Sequence, residues 1–309
     1  MIVVCGEALM DVFPAGDTPG GVTLDARIGG SPFNVAVGVA RLERPVAFFG
    51  ALSTDVFGDR LLRALAAEGV DTRLVARVDA PTTLGLVGCD AHGVPTYTFH
   101  GERGADRQLA HAALAWPALA VDAVQVGSYA TVVEPVAATL RALVERARPH
   151  ALVAYDVNVR LAVEPDLARW RDALAWHLAR ADLLKLSDED LQALAPGVDA
   201  AAFARDALQH GVRLVVVTRG SAGASAWTRR AHASVEAVPV PLVDTVGAGD
   251  SFQAALLTWL FDAGSLSRDA FDALDTEQLA AALRYSTRAA AITCSRRGAD
   301  LPRRRELER

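Results

Sequence analysis

The stretch VDTVGAGDSFQAALL, Val243 to Leu257, sets two glycines around one alanine and follows them with an acidic residue and a largely apolar run. A helix beginning near Asp250 leaves its first backbone N–H groups without partners and turns its positive dipole end toward the Gly247-Ala248-Gly249 turn. Such a terminus attracts anions. Asp250 then has two readings. In one it is an N-cap, with Gln253 three residues on completing a pair like a capping box. In the other, glycine lets the backbone come close to a phosphate while the Asp250 carboxylate does proton chemistry beside it.

The chain around this turn alternates two patterns. MIVVCG, PVAFFGAL, DAVQVGS, ALVAYDV, DLLKLS and RLVVVT are short runs rich in valine and leucine, without the in-out alternation of a half-solvated sheet, and read as buried strands. Between them, segments such as DRLLRALAAEG and EPVAATLRALVERA repeat apolar residues every three to four positions, as helices do. The alternation predicts an α/β fold with a central, mostly parallel sheet and right-handed crossovers. From Thr82 to Phe99 the rhythm breaks: TTLGLVGCDAHGVPTYTF places β-rich flanks around Ala91-His92-Gly93, a hairpin too polar for a central sheet. It reads as a small flap on the main body, joined by residues near Val12 to Leu24. A second hairpin is expected from Gly223 to Val240 around the basic turn Thr228-Arg229-Arg230, and the tail PRRRELER is charged enough to fray. No internal repeat or low-complexity linker is visible, so residues 1–309 read as one domain whose β lid comes from about 12–25 and 82–105.

At 309 residues and 51% hydrophobic content, the chain can bury a large core without disulfides or metals. Lys plus Arg number 31 against 37 Asp plus Glu, a formal charge of -6, so no basic field draws it to nucleic acid. A small-molecule partner is expected instead. Cys5, Cys89 and Cys294 are far apart and form no C-x-x-C pair, which argues against a zinc knuckle or disulfide framework and fits a reducing cytoplasm. The start, MIVVCGEALMDV, has no basic leader, and no later run reaches about 18 uninterrupted apolar residues, so neither export nor a membrane span is expected.

Polar residues fall at the ends of the expected strands. Asp11 follows the first; Asp156, Asn158 and Arg160 finish ALVAYDVNVR; Lys185 and Ser187 finish DLLKLS; Thr218 and Gly220 finish RLVVVTRG. Singly, each could cap the next helix or begin a turn. Together they mark one rim, because the carboxyl ends of strands in an open parallel sheet line the ligand crevice. In IGGSPFNVAVGVARL, Ser31 reads as an N-cap, Pro32 as the first helical residue and Gly29-Gly30 as the approach. Asn34 lies in the first turn, where its amide can donate to and accept from a polyol hydroxyl, or bond its own helix backbone.

With these residues in view, the chain resembles the ribokinase-like, or PfkB, sugar kinase family over nearly its whole length. GGSPFNVAVGVARL followed by FFGALSTDVFGDRLLRALAAEGVD is similar to the family's N-terminal signature, and VDTVGAGDSFQAALL to its C-terminal one. DVNVR, KLSDEDL, VVVTRGSAG and AAAITCSRRGADLP look most like the fructokinase branch, with 2-keto-3-deoxygluconate kinases close behind. The resemblance implies a central α/β domain with helices on both sheet faces, a β lid over the sugar, ATP as phosphoryl donor and Mg²⁺ as its companion, with a loop suited to K⁺. Residue by residue, it makes Asp250 the catalytic base and Gly247, Ala248 and Gly249 its anion hole. Asp11, Gly29, Gly30 and Asn34 match sugar-holding positions, Arg160 an arginine near sugar and phosphate, and His100 a lid position where an aromatic is common. Lys185, Thr218, Gly220 and Gly223 match the nucleotide side, and Cys294 to Gly298 the adenine-pocket wall and monovalent-cation loop. Asp190, in Ser187-Asp188-Glu189-Asp190, stands where a magnesium-linked glutamate is usual; its shorter reach implies contact through water. DVNVR also lacks the Leu-Trp that follows it in many fructokinases. Family members often pair through lid strands, and the β-rich flap permits a homodimer of that kind.

Two rivals differ in class. A nicotinamide-binding enzyme would share the sheet, but CGEALMD after the first strand lacks G-x-G-x-x-G. A non-catalytic sugar sensor could keep the fold, since fold alone does not fix activity. Among kinases, a keto-acid substrate would want an extra cation near the sugar, a place Arg160 could fill.

Overall fold

The computed structural model describes residues 1–89, 95–116 and 119–308. The turn expected at Ala91-His92-Gly93 lies outside the described residues. In chain order, the first half runs β1 (Ile2–Cys5), β2 (Leu9–Thr18), β3 (Gly21–Gly29), α1 (Ser31–Arg41), β4 (Val46–Ser53), α2 (Val56–Ala67), β5 (Val75–Val78), β6 (Leu84–Cys89) and β7 (Pro95–His100). Next come β8 (Ala123–Gly127), α3 (Val136–Ala147), β9 (Leu152–Asp156), α4 (Leu167–Leu178), β10 (Leu183–Ser187), α5 (Asp188–Leu194), α6 (Ala200–His210) and β11 (Leu214–Thr218). The chain closes with β12 (Ala224–Trp227), β13 (His232–Val235), α7 (Ala248–Asp262), α8 (Arg268–Ala273), α9 (Thr276–Cys294) and α10 (Arg304–Leu307).

Nine strands form the main sheet in the order β13-β12-β11-β10-β9-β8-β1-β4-β5. Every pairing from β11 to β5 is parallel; β12 and β13 add an antiparallel edge. The strands read from valine- and leucine-rich runs are buried throughout β1, β4, β8 and β9, as a sheet covered on both faces requires. Alternate residues feed opposite cores: Val3 and Cys5 pack with Leu140, Trp170 and Phe203 of α3, α4 and α6, whereas Ile2 and Val4 pack with Val35, Leu61, Leu256 and Leu283 of α1, α2, α7 and α9. This is the α/β architecture expected from the alternation.

A second, four-stranded sheet runs β3-β2-β6-β7. Its β2 pairs antiparallel with β3, where the register slips between Pro14 and Gly16, and parallel with β6. Asp11 lies in β2 of this smaller sheet, not at the end of the first core strand, because β1 stops at Cys5 and the chain turns through Gly6. Register places Asp11 opposite Arg27 on one side and Gly85 on the other. The base of the smaller sheet packs into the core through Met10, Ile28 and Leu84, which fixes its position above the carboxyl ends of the main strands.

Candidate active site

Helices α1 and α7 lie side by side, and the spacing between them is set by Gly38: a Cβ there would sit 2.6 Å from Cβ of Ala254 and 2.6 Å from Cδ2 of Leu301. One turn N-terminal to Gly38 is Asn34, and one turn N-terminal to Ala254 is Asp250. The close crossing therefore brings these two side chains together. Asn34 Nδ2 donates to Asp250 Oδ2 at 2.8 Å, and Ser31 Oγ donates to Asp250 Oδ1 at 2.6 Å. Asp250 is 8% exposed.

Neither expected cap forms. Gly30, at φ 104°, is the N-cap of α1, which frees the Ser31 hydroxyl for Asp250. A Cβ at Gly30 would stand 2.8 Å from the carbonyl oxygen of Glu7, so the chain passes that strand end only as glycine. At α7 the N-cap is Gly247, left-handed at φ 78°, with no side-chain capping bond, and Asp250 is the third helical residue. Gln253 does not cap; its Nε2 donates to Oε1 of Gln125 in β8. The Ala248 N–H is directed at Thr245 O at 3.2 Å, and Ser251 N–H at Gly247 O at 2.8 Å. Among the described residues this leaves the N–H groups of Gly249 and Asp250 unengaged at the helix terminus, so the amide pair open to an anion is shifted one residue along from a nest that includes Ala248.

Carboxylates surround this terminus. Asp11 lies on the smaller sheet between two glycines: Cβ atoms at Gly29 and Gly85 would meet its carboxylate at 2.2 Å and 2.9 Å. Burial raises the Asp11 carboxyl to about 6, with Arg160 opposing the rise and Asp250 adding to it, so all three charges share one neighbourhood. Arg160 is exposed, its Nη1 donating to Val159 O at 2.9 Å. His100 ends β7 and is exposed. Asp156, at the carboxyl end of β9, is 2% exposed and pairs with Lys185 at 2.7 Å. Burial still lifts Asp156 to about 6 against the pull of Lys185, and its Oδ1 is buried without a hydrogen-bond partner. Lys185 Nζ stands 3.7 Å from where a Cβ of Gly249 would be, next to the first turn of α7.

The remaining sequence-predicted positions spread along the rim. Thr218 ends β11; Gly220 and Gly223 take φ 48° and 87° in the tight turn to β12, where a Cβ on Gly223 would strike Val235 O at 2.0 Å. Asp244 ties the Gly247 approach to the loop after α9, accepting from Val246 N at 3.0 Å and Gly298 N at 2.8 Å. Asp190 accepts from Ser187 N at 2.9 Å and Val159 N at 2.8 Å, one bond to each carboxylate oxygen, as part of a capping box on α5. Among the described residues, no group of three or more His, Cys, Asp or Glu is arranged to hold a metal ion.

Sequence reasoning read Ser31 only as a cap and did not single out Glu7. Glu7 stands two residues past the end of β1, beyond Gly6, and so falls near a strand end as Asp156 does. It is 2% exposed, and burial pushes its carboxyl up to about 8, with the nearby Ser128 hydroxyl opposing.

A family model for pfkB family carbohydrate kinase matches residues 1–305. The chain belongs to that family. It is a carbohydrate kinase, and among its relatives a fructokinase of Rhizobium leguminosarum bv. trifolii is 35% identical over 281 residues, 90% of this chain and 85% of that one. A Xylella fastidiosa fructokinase solved with bound ATP aligns with a TM-score of 0.88 at 29% identity, covering 99% of this chain and 96% of the other. A Vibrio cholerae O395 fructokinase with fructose, ADP and calcium ion aligns with a TM-score of 0.84 at 27% identity over 99% and 97% of the two chains. The ribokinase-like fold and the kinase assignment expected from the two signature stretches thus hold for this chain. No described helix is long and apolar enough to cross a membrane.

The Glu7 carboxyl has a folded-state value near 8 and an ordinary value of 4.5, so the folded state binds more protons between those limits and stability declines as pH climbs through that window. Glu7→Gln removes this term. From about pH 6 to about pH 9, unfolding by urea should lose about 2–3 kcal/mol less stability in the variant than in the parent. Equal losses in the two proteins would mean that Glu7 is not held neutral.

Proposed function

We propose that the kinase is an ATP-dependent fructokinase that moves the γ-phosphate of ATP to a primary hydroxyl of fructose, with Asp250 as general base. The observation that carries this reading is the Asp250 carboxylate, oriented by Ser31 at 2.6 Å and Asn34 at 2.8 Å beside the unengaged amides of Gly249 and Asp250. A base for alcohol deprotonation needs a fixed carboxylate, and a migrating phosphoryl group needs amides that approach without side chains in the way. The identities to fructokinases supply the sugar class.

Each residue then has a defined task. The attacking hydroxyl gives its proton to Asp250 while the Gly249 and Asp250 N–H groups receive the charge that builds on the γ-phosphate. Asn34 spends its donor on Asp250, which leaves the amide oxygen to accept from a sugar hydroxyl. Asp11, Gly29 and Gly30 line the acceptor side, and the smaller sheet serves as a lid that excludes water. Thr218, Gly220, Gly223 and Gly298 border the nucleotide. ATP arrives as its Mg²⁺ complex, and the ion supplies charge neutralisation on the phosphates. The donor set suits a hydrated ion, since Mg²⁺ keeps several waters and takes one or two carboxylates; Asp156, whose Oδ1 has no hydrogen-bond partner, would hold it through water. Asp190, already bonded through both oxygens, orders the strand ends. A keto-acid sugar is the second reading, carried by the exposed Arg160, whose charge reaches Asp11. A cytoplasmic location belongs to this proposal, supported by the ATP-dependent reaction and the free thiols of Cys5 and Cys294.

The lid face turned away from Asp11 exposes Val22, Leu24 and Leu86 at 52%, 52% and 36%. An apolar face of this kind is covered when two lids pair. Sedimentation should find a dimer that Leu24→Glu converts to monomer; a parent that sediments as a monomer at micromolar concentration removes this assembly.

A purified-protein assay of ATP consumption with fructose, 2-keto-3-deoxygluconate and ribose tests the central reading, with fructose expected to be turned over fastest. Asp250→Asn should lower kcat by about 10²–10⁴ while ATP binding stays nearly intact. A variant as fast as the parent would remove Asp250 from the chemistry, and preference for the keto-acid would move the substrate to the second reading.

A further inference from the structure

We infer that Arg27 is the lid's contact to the donor phosphates: its guanidinium exchanges Asp25 for the polyphosphate of the nucleotide. This rests on the kinase reading above and adds a residue that neither signature stretch contains. Register sets Arg27 directly opposite Asp11, and Asp25 opposite Phe13. Directly opposed residues of an antiparallel pair share a face, and so do residues two apart on one strand. Asp11, Phe13, Asp25 and Arg27 therefore form one patch on the side of the lid that carries the acceptor-site aspartate.

The two ends of that patch overlook different halves of the site. Asp11 feels the charges of Asp250 and Arg160. Arg27 reaches the other way. Its Nε and Nη2 both donate to a single oxygen, Oδ2 of Asp25, at 2.8 Å and 2.5 Å, and its guanidinium carbon stands 5.1 Å from the centre of the Phe13 ring. Nη1 makes no hydrogen bond among the described residues and lies 3.4 Å from the position a Cβ would take on Gly298. The next residue, Ala299, is packed against the anion-binding turn, its Cβ only 2.6 Å from the position a Cβ would take on Gly247. Arg27 thus overhangs the loop that borders the helix terminus where the transferred phosphate would rest.

The Arg27–Asp25 pair is half-exposed, at 27% and 42%, and solvent screens such a pair. A polyphosphate offers more charge and several oxygens to the planar fork of an arginine, so it competes well with one carboxylate. Because Asp11 and Arg27 are cross-strand partners, the same lid movement that seats the acceptor sugar also delivers a cation to the donor.

Calorimetric titration of the parent, Arg27→Met, Arg27→Lys and Asp25→Asn with ATP, ADP and AMP tests this without a sugar, so the outcome is separate from whether fructose is the substrate. Arg27→Met should weaken ATP and ADP by about tenfold or more and leave AMP within about twofold. Arg27→Lys should recover part of the loss, and Asp25→Asn, which releases the guanidinium, should tighten ATP by a few-fold. In turnover, KM for ATP should rise in Arg27→Met with KM for the sugar unchanged. Equal weakening of all three nucleotides, or no change in the ATP-to-AMP ratio, would overturn the assignment and leave Arg27 as an ordinary lid-surface ion pair. If Arg27→Met does not fold, an Asp25→Asn protein that binds ATP no better than the parent overturns it as well.

Discussion

The contact between α1 and α7 at Gly38 and Ala254 governs the site. Two helices that touch through small residues can bring their first turns within hydrogen-bonding distance, and each is anchored along its length in the core shared with β1 and β4. Asp250 is oriented from the neighbouring helix, by Ser31 and Asn34, and not by its own backbone. The orientation is thus a property of the packed core. It does not wait for ligand, which is what the base proposed for Asp250 requires.

Around that pair the protein concentrates carboxylates with little water to shield them. Glu7, Asp11 and Asp156 all have carboxyl groups raised by burial, and Asp156 remains so although Lys185 stands 2.7 Å away. Clustered buried acids repel one another and cost stability in the empty protein. A polyphosphate brings further negative charge, so its metal and the positive end of α7 must balance the acids and the phosphates together. Elsewhere carboxylates are paired with arginine. At the amino ends of β10 and β11, Arg268 donates to Asp182, Arg148 O and Ala151 O, and Arg213 approaches Asp182 and Asp272.

Much of this was legible in the chain. Valine-rich runs without alternation mark the parallel strands because both sheet faces are covered, and the strand-end rule puts Asp156, Lys185 and Thr218 at the carboxyl ends of neighbouring strands. Local grammar misled at the helix starts. Ser31 and Asp250 both carry residue types that favour N-caps, yet a glycine occupies each cap, since the side chains are drawn instead into a bond between helices that lie 219 residues apart in sequence. No local pattern encodes a partner at that separation. Asp11 was misplaced by one element for a related reason: the break between β1 and β2 depends on Gly6, whose φ of 142° carries the chain from one sheet to the other. Arg27 has no signature of its own. It gains meaning only from the β2–β3 register, which follows the bulge at Pro14–Gly16 and cannot be read from composition.

The glycines on either side of Asp11 have a consequence for how this pocket could diverge. Gly29 and Gly85 leave no room for a larger residue beside the Asp11 carboxylate, so those two positions are closed to side-chain replacement. Change is freer at Arg160, which is exposed and whose charge reaches Asp11. Sequence in relatives should drift more freely at that arginine than at the aspartate held between its two glycines.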